Sequence, residues 1–292
     1  MCSMDFKTNS SSDNNVVIGC EAGCAWNSAD DKTVLIGARA GKNMTGGSRT
    51  IAIGFEAGCC AGVSDASIFI GAYAGKLACN RAHGSLFIGS NAGKGKNTSD
   101  TTGDNNIAIG GGAFVCFESG CRNTVLGGSA ANKLSTGYNN VALGYVALGE
   151  GAVTGAYNVA IGNQAGKCIT SAQSSVAIGR DALGCCGTTT GNHNIAIGDR
   201  SGCGVTSGTC NIFMGAYSGM QVEGGDRNIG IGYGTLFNVE GGDNNVAIGH
   251  AAGLCYGATA QNNVFIGGYA GKGVSGAENC GVEENVIIGF LA

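Results

Sequence analysis

The chain has 292 residues, a net charge of −4 and a pI near 5.3, too mild a balance to steer nucleic acid, and no Lys/Arg cluster or aromatic platform supplies one. Glycine supplies 56 residues and proline none, while charged residues make up 12% against a usual share of about 25%. An ordinary globular enzyme is not built this way; a chain in which nearly every residue joins a hydrogen-bonded ladder is, because proline cannot donate to one.

Residues 1–13 read as an N-terminal leader, and a single repeat domain follows from 14 to 292. Aligned on the glycine that closes an Ile-Gly pair, sixteen copies run through Gly19, Gly37, Gly54, Gly71, Gly89, Gly110, Gly127, Gly144, Gly162, Gly179, Gly198, Gly215, Gly232, Gly249, Gly267 and Gly289. Eight of the fifteen intervals are seventeen residues and the longest is 22, so the period is seventeen with loops that absorb insertions. The residue before the glycine is Ile thirteen times, and the residue three before it is aliphatic except at Thr124. Two aliphatic positions at period two, ended by glycine, predict a β-strand of four or five residues in every copy. The fold class is therefore all-β: a parallel β-solenoid of about 16 rungs of 17–18 residues, on the order of 75 Å long at ~4.8 Å per rung.

Four residues before the glycine stands Asn15, Asn106, Asn123, Asn140, Asn158, Asn194, Asn211, Asn228, Asn245, Asn263 or Asn285, with Ser or Thr in the other copies. Stacked rung on rung, these side chains predict an internal polar ladder at the strand entry. Ala three residues after the glycine in thirteen copies, and Gly at the next position in ten, predict a second strand or corner packed close against the first. The aliphatic residues one and three before the glycine are expected to fill the rung's own core. The residue between them then faces outward. It is Val17, Leu35, Phe69, Phe87, Val125, Phe213, Phe265, Ile287 or, elsewhere, Ala or Gly, and never polar. Such a stripe exposed to water is an association site, most economically covered by sister chains around a common axis.

The runs Asn158-Val-Ala-Ile-Gly-Asn-Gln-Ala-Gly166 and Asn245-Val-Ala-Ile-Gly-His-Ala-Ala-Gly253 resemble the head repeats of trimeric autotransporter adhesins of the YadA type. With spacers such as Leu134-Ser-Thr-Gly-Tyr-Asn-Asn140, they look still more like the repeats of phage and viral tail-fibre proteins. The resemblance covers residues 14–292, although the period of seventeen is longer than the adhesins'. It implies a left-handed β-roll, a homotrimer, and a shaft or adhesive role at a virion surface or outside a cell, with a receptor or glycan as an outside partner.

Nine of fifteen cysteines fall five to seven residues after the rung glycine, on one edge. Cys168 with Cys185, Cys116 with Cys121, and Cys203 with Cys210 are candidate disulfides, against free buried thiols. Structural-zinc spacing is lacking, Asp226 and Asp243 do not recur often enough for a calcium ladder, and no nucleophile elbow or phosphate loop occurs. No catalytic residue, metal or cofactor is expected. His83, His193 and His250 read as loop or surface residues, and Lys42, Lys76, Lys94, Lys167 and Lys272 as charges that keep an edge soluble. No apolar h-region or membrane span is present. Two further readings stand beside the trimeric fibre. One is a filament joined head to tail, because the two ends together would make an interval of 22, the longest within the chain. The other is an ice-binding solenoid, which requires a flat Thr-rich face.

Overall fold

The structure is a computed structural model describing residues 14–25, 32–62, 64–78, 82–96, 101–184, 187–254, 260–272 and 283–292; the leader, Cys185 and Cys255 lie outside them. It is all-β, a β-solenoid of parallel strands. Contacts divide the chain into two compact units, 1–146 with 152–154, and 147–151 with 155–292, where the sequence leads to the expectation of one repeat domain. The same rung builds both. The first unit carries β1 (Val16–Ile18), β2 (Val34–Ile36), β3 (Ile51–Ile53), β4 (Ile68–Ile70), β5 (Leu86–Ile88), β6 (Ile107–Ile109), β7 (Thr124–Leu126) and β8 (Val141–Leu143). The second carries β9 (Val159–Ile161), β10 (Val176–Ile178), β11 (Ile195–Ile197), β12 (Ile212–Met214), β13 (Ile229–Ile231), β14 (Val246–Ile248), β15 (Val264–Ile266) and β16 (Val286–Ile288). Within each unit successive strands pair in parallel and in register, so equivalent residues stack, as in Ile107↔Thr124, Ala108↔Val125 and Ile109↔Leu126.

Each strand has three residues and one named strand serves each rung; tight turns make the rest. Of the expected second strand or corner, the corner is what forms: the segment is a turn. Backbone φ is positive two residues after the rung glycine (Arg39, Tyr73, Gln164) and four after it (Gly41, Gly75, Gly166), which reverses the chain within a few residues. The rung glycine is itself held at φ +125° to +142°. A Cβ on Gly127 would lie 2.5 Å from the carbonyl oxygen of Gly144, so the column of glycines is set by backbone stacked on backbone.

The strand's faces are the reverse of the sequence expectation. The middle residue of nearly every strand is buried, with Leu35, Phe69, Phe87, Val125 and Phe213 fully so, Phe265 at 1% exposure and Val17 at 6%; Ile287 is half-buried. The predicted inter-chain stripe is therefore the chain's own core. Its flanking Val and Ile face outward. The reason is alternation: the strand-entry Asn points inward, and the residue two further on shares its face.

The core is narrow and each rung fills it with about one large side chain, from either wall. Where the middle residue is Phe69, Phe87, Phe213 or Phe265, the residue four after the glycine is Gly75, Gly93, Gly219 or Gly271. A Cβ on Gly75 would lie 2.5 Å from the Phe69 ring. Where the middle residue is Ala108, Ala177 or Gly230, the opposite wall supplies Phe114, Leu183 or Leu236, buried and held at positive φ. Met44, Phe117, Leu134, Ile169, Val205, Val222 and Val239 close the third corner.

Candidate functional site: the outer sheet face and its borders

Inside, the asparagines form a hydrogen-bonded ladder. Asn123 donates from its backbone N to Asn106 Oδ1 at 3.0 Å, from Nδ2 to the same oxygen at 3.1 Å, and from Nδ2 to Gly137 O at 2.9 Å. Asn140 repeats the bonds to Asn123. In the second unit the chain runs from Asn194 through Asn211, Asn228, Asn245 and Asn263 to Asn285. Ser175 carries it on from Asn158, whose Oδ1 accepts the Ser175 amide at 3.0 Å; Asn194 in turn donates to Ser175 Oγ at 3.2 Å. Asn15 Oδ1 accepts from Thr33 N at 2.8 Å. Within the row the buried amides, such as Asn123, Asn211, Asn228 and Asn245, use both ends, which makes the place tolerable; Asn15 and Asn285 at its two ends are half-buried. No ligand has room there.

The face that can meet something else is the outer one. Each strand sends two side chains out, and in every strand but one both are apolar, the exception being β7 with Thr124. Val16, Ile18, Ile107, Leu126, Ile161, Met214, Ile231, Ile248 and Ile266 are 37–47% exposed even though each stacks on its neighbours. The result is a pair of parallel aliphatic columns on each unit, with the bare glycine column beside them.

The turn that borders this face carries different chemistry in different places. In the first unit Glu21, Arg39 and Glu56 alternate in sign at one repeat position. Arg39 lies 3.0 Å from Glu21 and 3.1 Å from Glu56; Lys42 reaches Glu21 at 2.8 Å and Lys76 reaches Glu56 at 2.5 Å. Lys42 foremost, then Arg39, holds the Glu21 carboxyl below its ordinary 4.5; Lys76 foremost, then Arg39, does the same for Glu56. In the second unit the border is aromatic: Tyr217, Tyr233, His250, Tyr269 and Phe290 follow one another at centroid distances of 5.6, 5.3, 5.0 and 6.2 Å. Sequence reasoning missed this column because its members fall at either of two adjacent repeat positions, one or two residues after the rung glycine. Lys76 and Lys272 sit over Tyr73 and Tyr269 at 5.0 and 5.1 Å, so these lysines cap rings as well as carrying charge.

A second polar ladder secures the loops. Asp226 N–H donates to Asp243 Oδ1 at 2.8 Å, and Thr209 N–H to Asp226 Oδ1 at 2.7 Å. These carboxylates accept from backbone, a use unlike the metal ligation that their Gly-Gly-Asp context imitates. In the first unit His83 holds the equivalent repeat position, its Nδ1 accepting from Asp65 N at 3.0 Å. Among the described residues no group of three or more His, Cys, Asp or Glu gathers, and no helix is long and apolar enough to cross a membrane.

Of the proposed sulfur pairs, Cys116–Cys121 and Cys203–Cys210 are not formed, and Cys168–Cys185 involves Cys185, which lies outside the described residues. Cys116, Cys121 and Cys210 are free thiols, and Cys168 Sγ lies 3.3 Å from Gly184 O. Cys203 is disulfide-bonded, though not to Cys210, and Cys20 is bonded likewise. No protein-family model, curated protein or solved structure matches the chain.

Proposed function

We propose that this chain is a structural fibre protein, the β-solenoid shaft of a viral or phage tail fibre or of a surface adhesin. Three copies wind in the left-handed sense with their outer sheet faces turned inward on a common axis. The observation that supports this reading is the pair of outward aliphatic columns. A continuous apolar sheet face on a water-exposed chain marks an association surface. Covering the exposed remainder of each such side chain contributes roughly 0.5–1 kcal/mol. Two per strand over the eight strands of a unit come to on the order of 10 kcal/mol, comparable with the ~4–15 kcal/mol that association costs. A scattered aliphatic residue does not reach that scale. The partner is a second and third copy of the chain because an in-register column matches its own repeat.

The face argues against ice binding, since its two columns carry a single threonine, Thr124. Native mass spectrometry of the purified chain tests the proposal. A trimer is expected, and a monomer across the micromolar range would contradict it. Long unbranched filaments on electron-microscope grids would favour head-to-tail joining instead.

A further inference from the structure

Cysteine is the residue that the rung does not require. Cys59 and Cys60 are adjacent in the turn after β3, and both amides are fixed: Cys59 N donates to Glu56 O at 3.3 Å and Cys60 N to Lys76 O at 2.9 Å. The two are thiols with sulfurs 3.9 Å apart. Cys59 is buried and Cys60 half-buried, and Asn43 Nδ2 reaches Cys60 Sγ at 3.6 Å.

Two soft donors are thus held together by backbone, with one side towards solvent. With metal–thiolate bonds of about 2.3 Å, sulfurs at this separation subtend an angle of roughly 116° at a shared ion. That angle suits a low-coordinate ion with one position left open to the exterior. Structural zinc needs four ligands and finds no such cluster among the described residues. Soft thiolate pairs favour Cu(I) among the biological metals. We propose that Cys59 and Cys60 form a binding site for a soft monovalent ion, Cu(I) being the biological case.

Binding balances without redox chemistry. Two S–H bonds break, two S–Cu bonds form, two protons pass to solvent, and no electron moves. Burial foremost, then neighbouring Cys60, pushes the Cys59 thiol up to about 11, so at neutral pH the ion must displace its proton. Because thiolate ligation releases protons, affinity should rise with pH. Lys76 favours the resulting anion and Glu56 opposes it.

The test titrates fully reduced protein with Cu(I) under anaerobic conditions against a chromophoric Cu(I) chelator. Cys59→Ser and Cys60→Ser are compared with Cys121→Ser and Cys210→Ser, with circular dichroism to verify folding. The first pair should each lose about one tightly bound ion per chain and its proton release, while the second pair loses neither. Phenylarsine oxide, which closes on two thiols with loss of water, should lose about one equivalent in the same two variants. Cu(I) and arsenical uptake unchanged in Cys60→Ser, the more exposed and least disruptive variant, would overturn the site. So would peptide mapping that finds the two sulfurs already joined to each other.

Discussion

At the scale of single residues the rung depends on atoms that have no space to give. The rung glycines combine a left-handed backbone with a neighbouring carbonyl where a Cβ would sit. Gly127→Ala should therefore destabilise the fold by at least ~1–3 kcal/mol, visible as a lower urea midpoint, since strained φ and a backbone clash add. Gly112, also at positive φ, has only the Ser129 side chain and backbone near, at 3.5 Å or more; alanine there should cost distinctly less. The ladder predicts a second contrast. Asn211→Ala strips the acceptor from the Asn228 amide and side chain and the side-chain donor from Gly225 O and Asn194 Oδ1, the latter keeping only the backbone N–H of residue 211; all are buried. A loss of ~1–3 kcal/mol or more is expected in a chemical melt. Asn211→Ser should recover part of it, because Ser175 already holds that place in its own rung.

At the scale of the element, core filling is shared between two walls. Phe213→Ala should cost ~3–5 kcal/mol as a cavity opens opposite Gly219. Adding Gly219→Leu should restore much of that, since Leu183 and Leu236 fill rungs from that wall at positive φ. A double variant no more stable than Phe213→Ala would show that the walls are not interchangeable. The charged border makes a pH prediction. Glu21 and Glu56 have depressed carboxyl pKa values in the folded state, so their contribution is complete above the ordinary 4.5 and is lost as pH falls through the folded value. The thermal midpoint should drop on acidification in that range, and less steeply in Glu56→Gln. These exposed pairs add little individually. Their alternation still favours register: a slip of one rung would set Glu21 against Glu56.

The strands, the glycine column and the Asn row were all legible, because a period of seventeen repeated sixteen times carries them directly in residue type. The direction of the faces was equally present and misread. An Asn row inside the coil requires the residue two further on, Ala160 after Asn158, to be inside as well. The many Ala and Gly at that place fit a narrow core, not an outer face. Reading Phe69 and Phe87 as outward ignored Gly75 and Gly93, whose missing side chains make room for them. The aromatic border was not legible, because its members sit at two adjacent repeat positions; the charged border lay in the spacing, with Glu21, Arg39 and Glu56 two residues after their rung glycines, and went unread.

At the scale of the whole molecule, the reversal of the faces transfers the oligomer argument from one column of mixed size to two columns of uniform aliphatic character. It also changes which substitutions should matter. A charge on an outward position leaves the rung intact and spoils the surface; a charge on an inward one spoils the rung. The most direct measurement is sedimentation velocity, with circular dichroism alongside, on the wild-type chain, on Ile107→Asp with Ile231→Asp, and on Ala108→Asp. The account predicts a trimer for the wild type, a folded monomer for the outward pair, and loss of β structure for the inward variant. A wild-type monomer, or an outward pair that sediments as the wild-type trimer does, would contradict it.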